Sequence, residues 1–387
     1  MIRVGTANSL DDLKILAQAG ASEVLIGADA FSRFGTVPQT ELVLFAKEAK
    51  KLRLRPVLEW DILMTQPEFE KVRVLVEAIP EDAFDAIRVQ DPGAFEYVLQ
   101  TRRNQMIQLV LETGNHNLEA VKRWCEYGGK RLERVVLSGQ LPAGTLSEWI
   151  KKISVPAEVL GLGPILILYT PRHLLSNQLP ETEAADFLRA TASSEESLHS
   201  GFRVIENKHG TFVFLGKDYC LMDQIESLNS LGLSAVRIDL RLHEQAGVLA
   251  SMAGLFSVKS DVAAAEILKS YPQDTTRCFY KANNTDKAFV KLKNTNLARK
   301  DEGFLGEVVE AAKDSHLIIH VRARNQKLFK GQKLFLTSPE GWSQEVAVTS
   351  LRNIDSADTD EILSGDFAVI PYFKRFPAKS SVYAARF

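Results

Sequence analysis

Cysteine is scarce in this chain. Cys125, Cys220 and Cys278 are the only three in 387 residues, and they are widely separated. That is too few for a disulfide framework, and the spacing matches no self-contained zinc module, so the thiols are read as reduced. Long apolar runs are missing as well. No stretch approaches the roughly 18 residues that cross a bilayer, and the opening MIRVGTANSL reads as a first strand rather than a signal peptide. The expected location is therefore the cytoplasm, with no membrane partner. A surplus of either charge is also lacking: 47 basic residues face 49 acidic ones, a formal charge of -2. Net charge thus forecasts no polyanion partner, although uneven placement along the chain could. Finally, there is no nucleophile elbow, no His-Glu-x-x-His helix, no phosphate loop and no dinucleotide fingerprint.

What is present is a rhythm. With 45% hydrophobic and 25% charged residues the composition is that of a globular protein. Short apolar strands at Ile2 to Thr6, Val24 to Gly27, Arg55 to Trp60, Ala86 to Val89, Gln108 to Glu112 and Val135 to Leu137 alternate with amphipathic helical segments. The first helix carries its own punctuation, Ser9 as N-cap and Gly20 as terminator. A seventh strand, the apolar run Val159 to Leu168, is entered by Glu158 and left through Tyr-Thr-Pro-Arg-His. Val236 to Leu240 supplies an eighth. Repeated strand-helix units imply a parallel sheet, and eight strands favour closure into a TIM-like (β/α)8 barrel. The barrel is expected over residues 1–270, interrupted at 180–212 by an insertion read as a lid or a poorly ordered loop. A basic linker follows at 271–302. Over 303–387 short alternating strands suggest a small antiparallel β-barrel.

In such a barrel, chemistry sits at the C-terminal ends of the strands. Glu59 and Asp61 close the third strand, Asp91 the fourth, Glu112 with His116 and Asn117 the fifth, and Glu158 opens the seventh. On the eighth, alternation sends Arg237, Asp239 and Arg241 to one face, toward the barrel interior or its rim. Buried arginines need acids, so partners among Glu158 and Glu112 are expected. The candidate catalytic residues are thus Glu158, Glu59, Asp61 and Glu112. A purely structural ion-pair network explains the same residues without catalysis.

Two stretches carry a family resemblance, residues 157–179 and Gly216 to Arg241 (GKDYCLMDQIESLNSLGLSAVRIDLR). They resemble the two signature regions of the collagenase-like peptidases, family thirty-two of the peptidases of unknown catalytic type. Glu158, Gly163, Leu174, Ser176, Lys217, Asp218, Cys220, Asp223 and Arg241 match, while Leu166 and His173 stand where the family has cysteines. The resemblance spans nearly the whole chain. It implies oxygen-independent hydroxylation of RNA bases or of the ubiquinone ring around a four-cysteine [4Fe–4S] cluster, and older descriptions imply collagenase activity. Because Cys220 alone remains of the four ligand positions, the cluster is expected to be absent. A zinc site from Cys220, His173 and His199 or His209 is the rival reading, against which stands a buried thiol among unrelated histidines. Arg33, in the FSRFG segment, stands at a family arginine position and is the leading anion contact. A further departure is Ser138-Gly139-Gln140-Leu141, where the family shows Arg-Glu-Leu.

The expected ligand-binding set is Arg33, Asp91, Asn117, His173, Cys220, Arg237, Asp239 and Arg241, with no metal ligand. The partners forecast are RNA or an aromatic small molecule, and an active family member to which this chain could be a non-catalytic subunit. The RNA expectation draws on two basic tracts with aromatic neighbours, Arg277 to Lys300 (with Phe279, Tyr280 and Phe289) and Arg322, Arg324, Lys327, Lys330 and Lys333. The readings left standing are a cluster-less relative in, or derived from, a hydroxylation pathway, a hydrolase acting through a rim carboxylate or a bound metal, and a partner subunit.

Overall fold

The structure is a computed structural model that describes the chain except for residues 114–116, 179–186, 194–200, 244–246, 249–253, 282–302, 323–325, 340 and 385–387. The chain divides into two compact units, Met1–Asn283 and Asn284–Phe387.

In the first unit, seven strands alternate with six helices. These are β1 (Ile2–Ala7), α1 (Leu10–Ala19), β2 (Glu23–Gly27), α2 (Leu42–Lys51), β3 (Arg55–Trp60), α3 (Gln66–Glu77), β4 (Ala86–Val89), α4 (Pro92–Thr101), β5 (Met106–Val110), α5 (Leu118–Gly128), β6 (Leu132–Val136), α6 (Ala143–Lys152) and β7 (Ala157–Thr170). Local signals set the boundaries. Ser9 and Asp12 form a reciprocal capping box at the start of α1, and Gly20, in the left-handed region at φ 94°, ends it. The next strand to enter the barrel, β11 (Ala235–Ile238), pairs in parallel with both β7 and β1. With every other neighbour also parallel, β1 to β7 and β11 close an eight-stranded barrel, as the strand-helix rhythm predicts.

The insertion departs from expectation. In its described parts it is not a loose loop but three strands, β8 (Phe187–Ala192), β9 (Phe202–Asn207) and β10 (Gly210–Cys220). They pair antiparallel with one another, β10 pairs with the upper half of β7, and the short β12 (Thr275–Thr276) pairs in parallel with β10. The reason is the length of β7. At 14 residues it runs well past its barrel neighbours, and its free edge needs a partner for its amides and carbonyls. Gly163 marks the point of departure. Its φ is 139°, and a Cβ there would lie 2.3 Å from the Asp239 carbonyl oxygen, so the backbone turn and the close approach both demand glycine.

The apolar core lies between the strands and the outer helices, with Leu13, Ile26, Phe45, Leu58, Phe95 and Val135 among its fully or almost fully buried members. Inside the barrel, Val4, Leu25, Val57, Ala86 and Ala235 make one small apolar layer. Alternation then puts charged residues on the same inward faces: Glu23 beside Leu25, Arg88 beside Ala86, Arg237 beside Ala235.

The second unit is a six-stranded antiparallel sheet built from β13 (Phe304–Ala312), β14 (His316–Val321), β16 (Lys333–Thr337), β17 (Ser343–Ala347), β19 (Phe367–Pro371) and β20 (Ser381–Ala384), with β15 (Lys327–Phe329) and β18 (Glu361–Leu363) as a separate pair. Its own core includes Leu305, Leu317, Leu334, Leu336 and Val382.

Candidate functional site

Two charge networks occupy the barrel. The lower one lies in the half where the strands begin. Glu158, wholly buried, takes a bidentate pair from Arg88 at 2.6 and 2.8 Å and a third contact from Arg134 at 3.0 Å. Arg134 also meets Glu23 at 2.6 Å, and Gln108 joins Arg88, Glu23 and Glu133. Burial pushes the Glu158 carboxyl up, but Arg88, Arg134 and Arg237 outweigh it and hold it down at about 2. Glu158, a candidate catalytic residue by sequence, thus lies near the start of its strand as the hub of an ion-pair network. Its oxygens are taken by guanidiniums, and the N-terminal end of a barrel serves stability.

The upper network is at the mouth. The Arg33 Nε lies 2.6 Å from Asp61, whose other oxygen accepts the Arg33 backbone amide at 2.8 Å. Arg241 grips Asp239 through two contacts at 3.0 and 2.7 Å and also pairs with Glu59, which accepts the Ser32 hydroxyl at 2.8 Å. Arg237 pairs with Glu112, and Arg33 lies 3.8 Å from the other Glu112 oxygen. The expectation that strand-eight arginines find barrel acids thus holds for Arg237 with Glu112, while Arg241 goes to Glu59 and Asp239 instead. Burial would raise Asp61, but Arg33 and Arg241 lower it, and the Arg33 guanidinium is correspondingly held above its ordinary value by Asp61 and Glu112 despite burial. Two nitrogens of Arg237, Nε and Nη1, are buried without a hydrogen-bond partner.

Above this network a cavity of about 470 Å³ opens, walled by Arg33, Arg241, Arg189 and Lys208 and by the rings of Phe34 and Phe187. Arg189 comes from β8 and Lys208 from the turn between β9 and β10, so the antiparallel extension completes the mouth. Arg189 stacks on Phe187 at 5.2 Å, and Lys208 pairs with Asp29.

Other expected site residues have structural work. The Asp91 carboxylate caps α4, accepting the amides of Gly93 at 2.8 Å and Ala94 at 3.0 Å, and Asn117 caps α5 through Ala120 at 2.8 Å. His173 is exposed in the loop after β7, where its carbonyl accepts from Asn177. His116, His199 and Arg324 lie outside the described residues. So does most of the first basic tract, and its described start serves the barrel. Arg277 pairs with Asp223, and Tyr280 is buried with its hydroxyl 3.0 Å from Ser227, so that ring is not available for stacking on a base. In the second tract Arg322, Lys327 and Lys333 pair with Glu307, Glu361 and Glu345.

The residues do not fit a thiolate-held iron–sulfur cluster. Cys220 sits in the apolar core, where burial pushes its thiol up to about 11 and disfavours the thiolate that iron requires. Leu166, at a cysteine position of the family, has no donor atom. Among the described residues no three His, Cys, Asp or Glu side chains are grouped to hold a metal ion.

Residues 8–299 match the model of peptidase family U32. The chain belongs to that family. Two curated proteins of Bacillus subtilis (strain 168) are similar to this U32 member. "tRNA hydroxylation protein P1" is 22% identical over 251 residues, 61% of this chain and 57% of that protein. "tRNA hydroxylation protein P2" is 22% identical over 242 residues, 60% of this chain and 77% of that protein. Among solved structures, the U32 peptidase Mk0906 aligns with a TM-score of 0.36 at 15% identity, over 42% of this chain and 69% of that one.

Sequence reasoning missed Arg88, Arg134 and Glu23, and it missed Arg189 and Lys208. Arg88 and Arg134 were detectable. AIRV and LERVV each place one arginine inside an apolar strand, the same signal that singled out Arg237. Arg189 and Lys208 carry no such mark, because only the extension of β7 brings them to the mouth.

Proposed function

We propose that this U32 member takes part in tRNA modification, binding an RNA nucleotide or an aromatic acid in the mouth cavity without an iron–sulfur cluster. The observation that carries the reading is the composition of that cavity. Two aromatic rings, Phe34 and Phe187, lie beside Arg189 and beside Arg33, Arg241 and Lys208, whose charges are shared with Asp61, with Glu59 and Asp239, and with Asp29; rings and guanidiniums side by side suit a flat ring bearing a phosphate or carboxylate. The similarity to two tRNA hydroxylation proteins supports the RNA side of the reading. Rim hydrolysis has less support, because Glu59, Asp61 and Glu112 are each engaged with an arginine and none stands free as a base.

The test uses cells lacking this chain and the purified full-length protein. Nucleoside mass spectrometry of tRNA from the deletion strain is expected to lose or alter a hydroxylated nucleoside. The purified protein is expected to bind tRNA with an affinity that falls as salt is added. An unchanged nucleoside profile together with salt-independent or absent binding defeats the proposal. Broad absorbance near roughly 400 nm in protein purified without oxygen defeats its cluster-less part.

A further inference from the structure

A second cavity, of about 330 Å³, lies on the antiparallel extension and shares Arg189 and Leu242 with the mouth cavity. Its size falls within the range of small-molecule sites, roughly 300–1,000 Å³. Arg189, Arg203, Thr191, His243 and Gln273 line it. Behind this wall stands a built arrangement of polar groups around Asp218, which is 1% exposed. Its Oδ2 accepts from Tyr271 at 2.5 Å and from the His243 Nε2 at 2.7 Å, and its Oδ1 pairs with Arg203. Burial would push the Asp218 carboxyl up, but His243, Tyr271 and Arg203 lower it, so it stays ionised.

A buried carboxylate bonded to one imidazole nitrogen fixes the orientation of the ring and favours its doubly protonated form, in which the other N–H can donate to an anion. Here the oriented ring lies in the wall of a cavity that two guanidiniums also face. Among the described residues no acid pairs with Arg189, whose contact is with the Phe187 ring. Arg203 gives one nitrogen to Asp218 and its Nε to the Leu215 carbonyl at 3.3 Å, and a guanidinium carries five donors. Among the described residues lining this cavity there is no Asp or Glu.

We propose that this cavity is a binding site for the oxyanion group of a small molecule, a phosphate or a carboxylate, held by Arg189 and Arg203 and by the His243 ring that Asp218 and Tyr271 set in place. The inference does not rest on the tRNA reading. It concerns a different cavity and residues that the reading leaves unused, Arg189 excepted.

The experiment titrates the full-length protein with inorganic phosphate in one arm and acetate in the other, by calorimetry, and soaks crystals with tungstate to locate the anion. His243→Gln keeps a donor for Asp218, and Arg189→Gln removes an exposed side chain with no ion pair among the described residues, so both variants are expected to fold. Each is expected to weaken phosphate binding about ten- to hundredfold, the loss of one charge-assisted hydrogen bond. Tighter phosphate than acetate identifies a phosphate-bearing ligand, and the reverse order a carboxylate; either order supports the site. Tungstate density against Arg189, Arg203 and His243 supports it too. Density confined to Arg33 and Arg241, binding that His243→Gln leaves unchanged, or no binding in either arm overturns it.

Discussion

Glu158 shows what one buried carboxylate does in this barrel. It accepts three guanidinium contacts from two arginines and has no access to water. Replacing it with glutamine leaves Arg88 and Arg134 short of a countercharge in a closed interior, which typically costs about 3–5 kcal/mol. Denaturant unfolding of Glu158→Gln is expected to show a loss of that order, and a loss under about 1 kcal/mol would contradict the network's assigned role. The pH dependence has a definite sign. The folded carboxyl titrates at about 2, below its ordinary value of 4.5, so its stabilisation is complete above 4.5 and is lost as pH falls from there through about 2. The wild type is therefore expected to lose stability over that window more steeply than Glu158→Gln, measured by urea midpoints at successive pH values. Parallel curves would remove Glu158 as the source. Mouth residues differ in kind, since Arg33, Arg237 and Arg241 pair with acids and also lie against a cavity wall.

At the scale of elements, the extension of β7 is the feature that sequence reading mistook. The barrel strands were legible because each is a compact apolar run between helices with recognisable caps, as with Ser9 and Gly20 around α1. The insertion was not, for a physical reason. β8 (FLRATA) is exposed or half-exposed along its whole length, so it carries no burial pattern, and its order comes from backbone pairing with β9. The site was legible in part for the same cause. Alternation on the eighth strand put Arg237 on the inward face, where it pairs with Glu112, whereas Arg189 and Lys208 depend on long-range pairing that no local signal reports. Glu206 on β9 pins the loop after β7. Its carboxylate accepts the amides of Leu175 at 2.7 Å and Ser176 at 2.8 Å and the Thr211 hydroxyl at 2.6 Å. Burial would push it up, but these donors hold it down at about 2. Glu206→Ala is expected to speed hydrogen exchange at Leu175 and Ser176 while leaving β1 to β6 protected. Exchange unchanged at those two amides would show that something other than Glu206 holds the loop. Gly163→Ala tests the branching point. With φ at 139° and Asp239 oxygen at 2.3 Å, it is expected to cost about 1–3 kcal/mol or more in denaturant unfolding.

At the scale of the whole molecule, the two units carry separate hydrophobic cores, one packed around barrel strands and helices, the other inside an antiparallel sheet. Separate cores predict separate unfolding events, because the cooperative unit of unfolding is the set of residues that bury one another. Calorimetry of the intact chain is therefore expected to resolve two transitions. Leu336 gives the means to assign them. It is wholly buried in the second core, and Leu→Ala at such a site costs about 2–5 kcal/mol. For a unit of this size each kcal/mol moves the midpoint by about 4–8 °C, so Leu336→Ala is expected to lower one transition by roughly 10 °C or more and to leave the other where it was. Ile26→Val, trimming one buried methyl from the barrel core, is expected to lower only the other transition, by a few degrees. A single transition that both variants shift together would mean that the two cores unfold as one, and the division into energetically independent units would then be wrong.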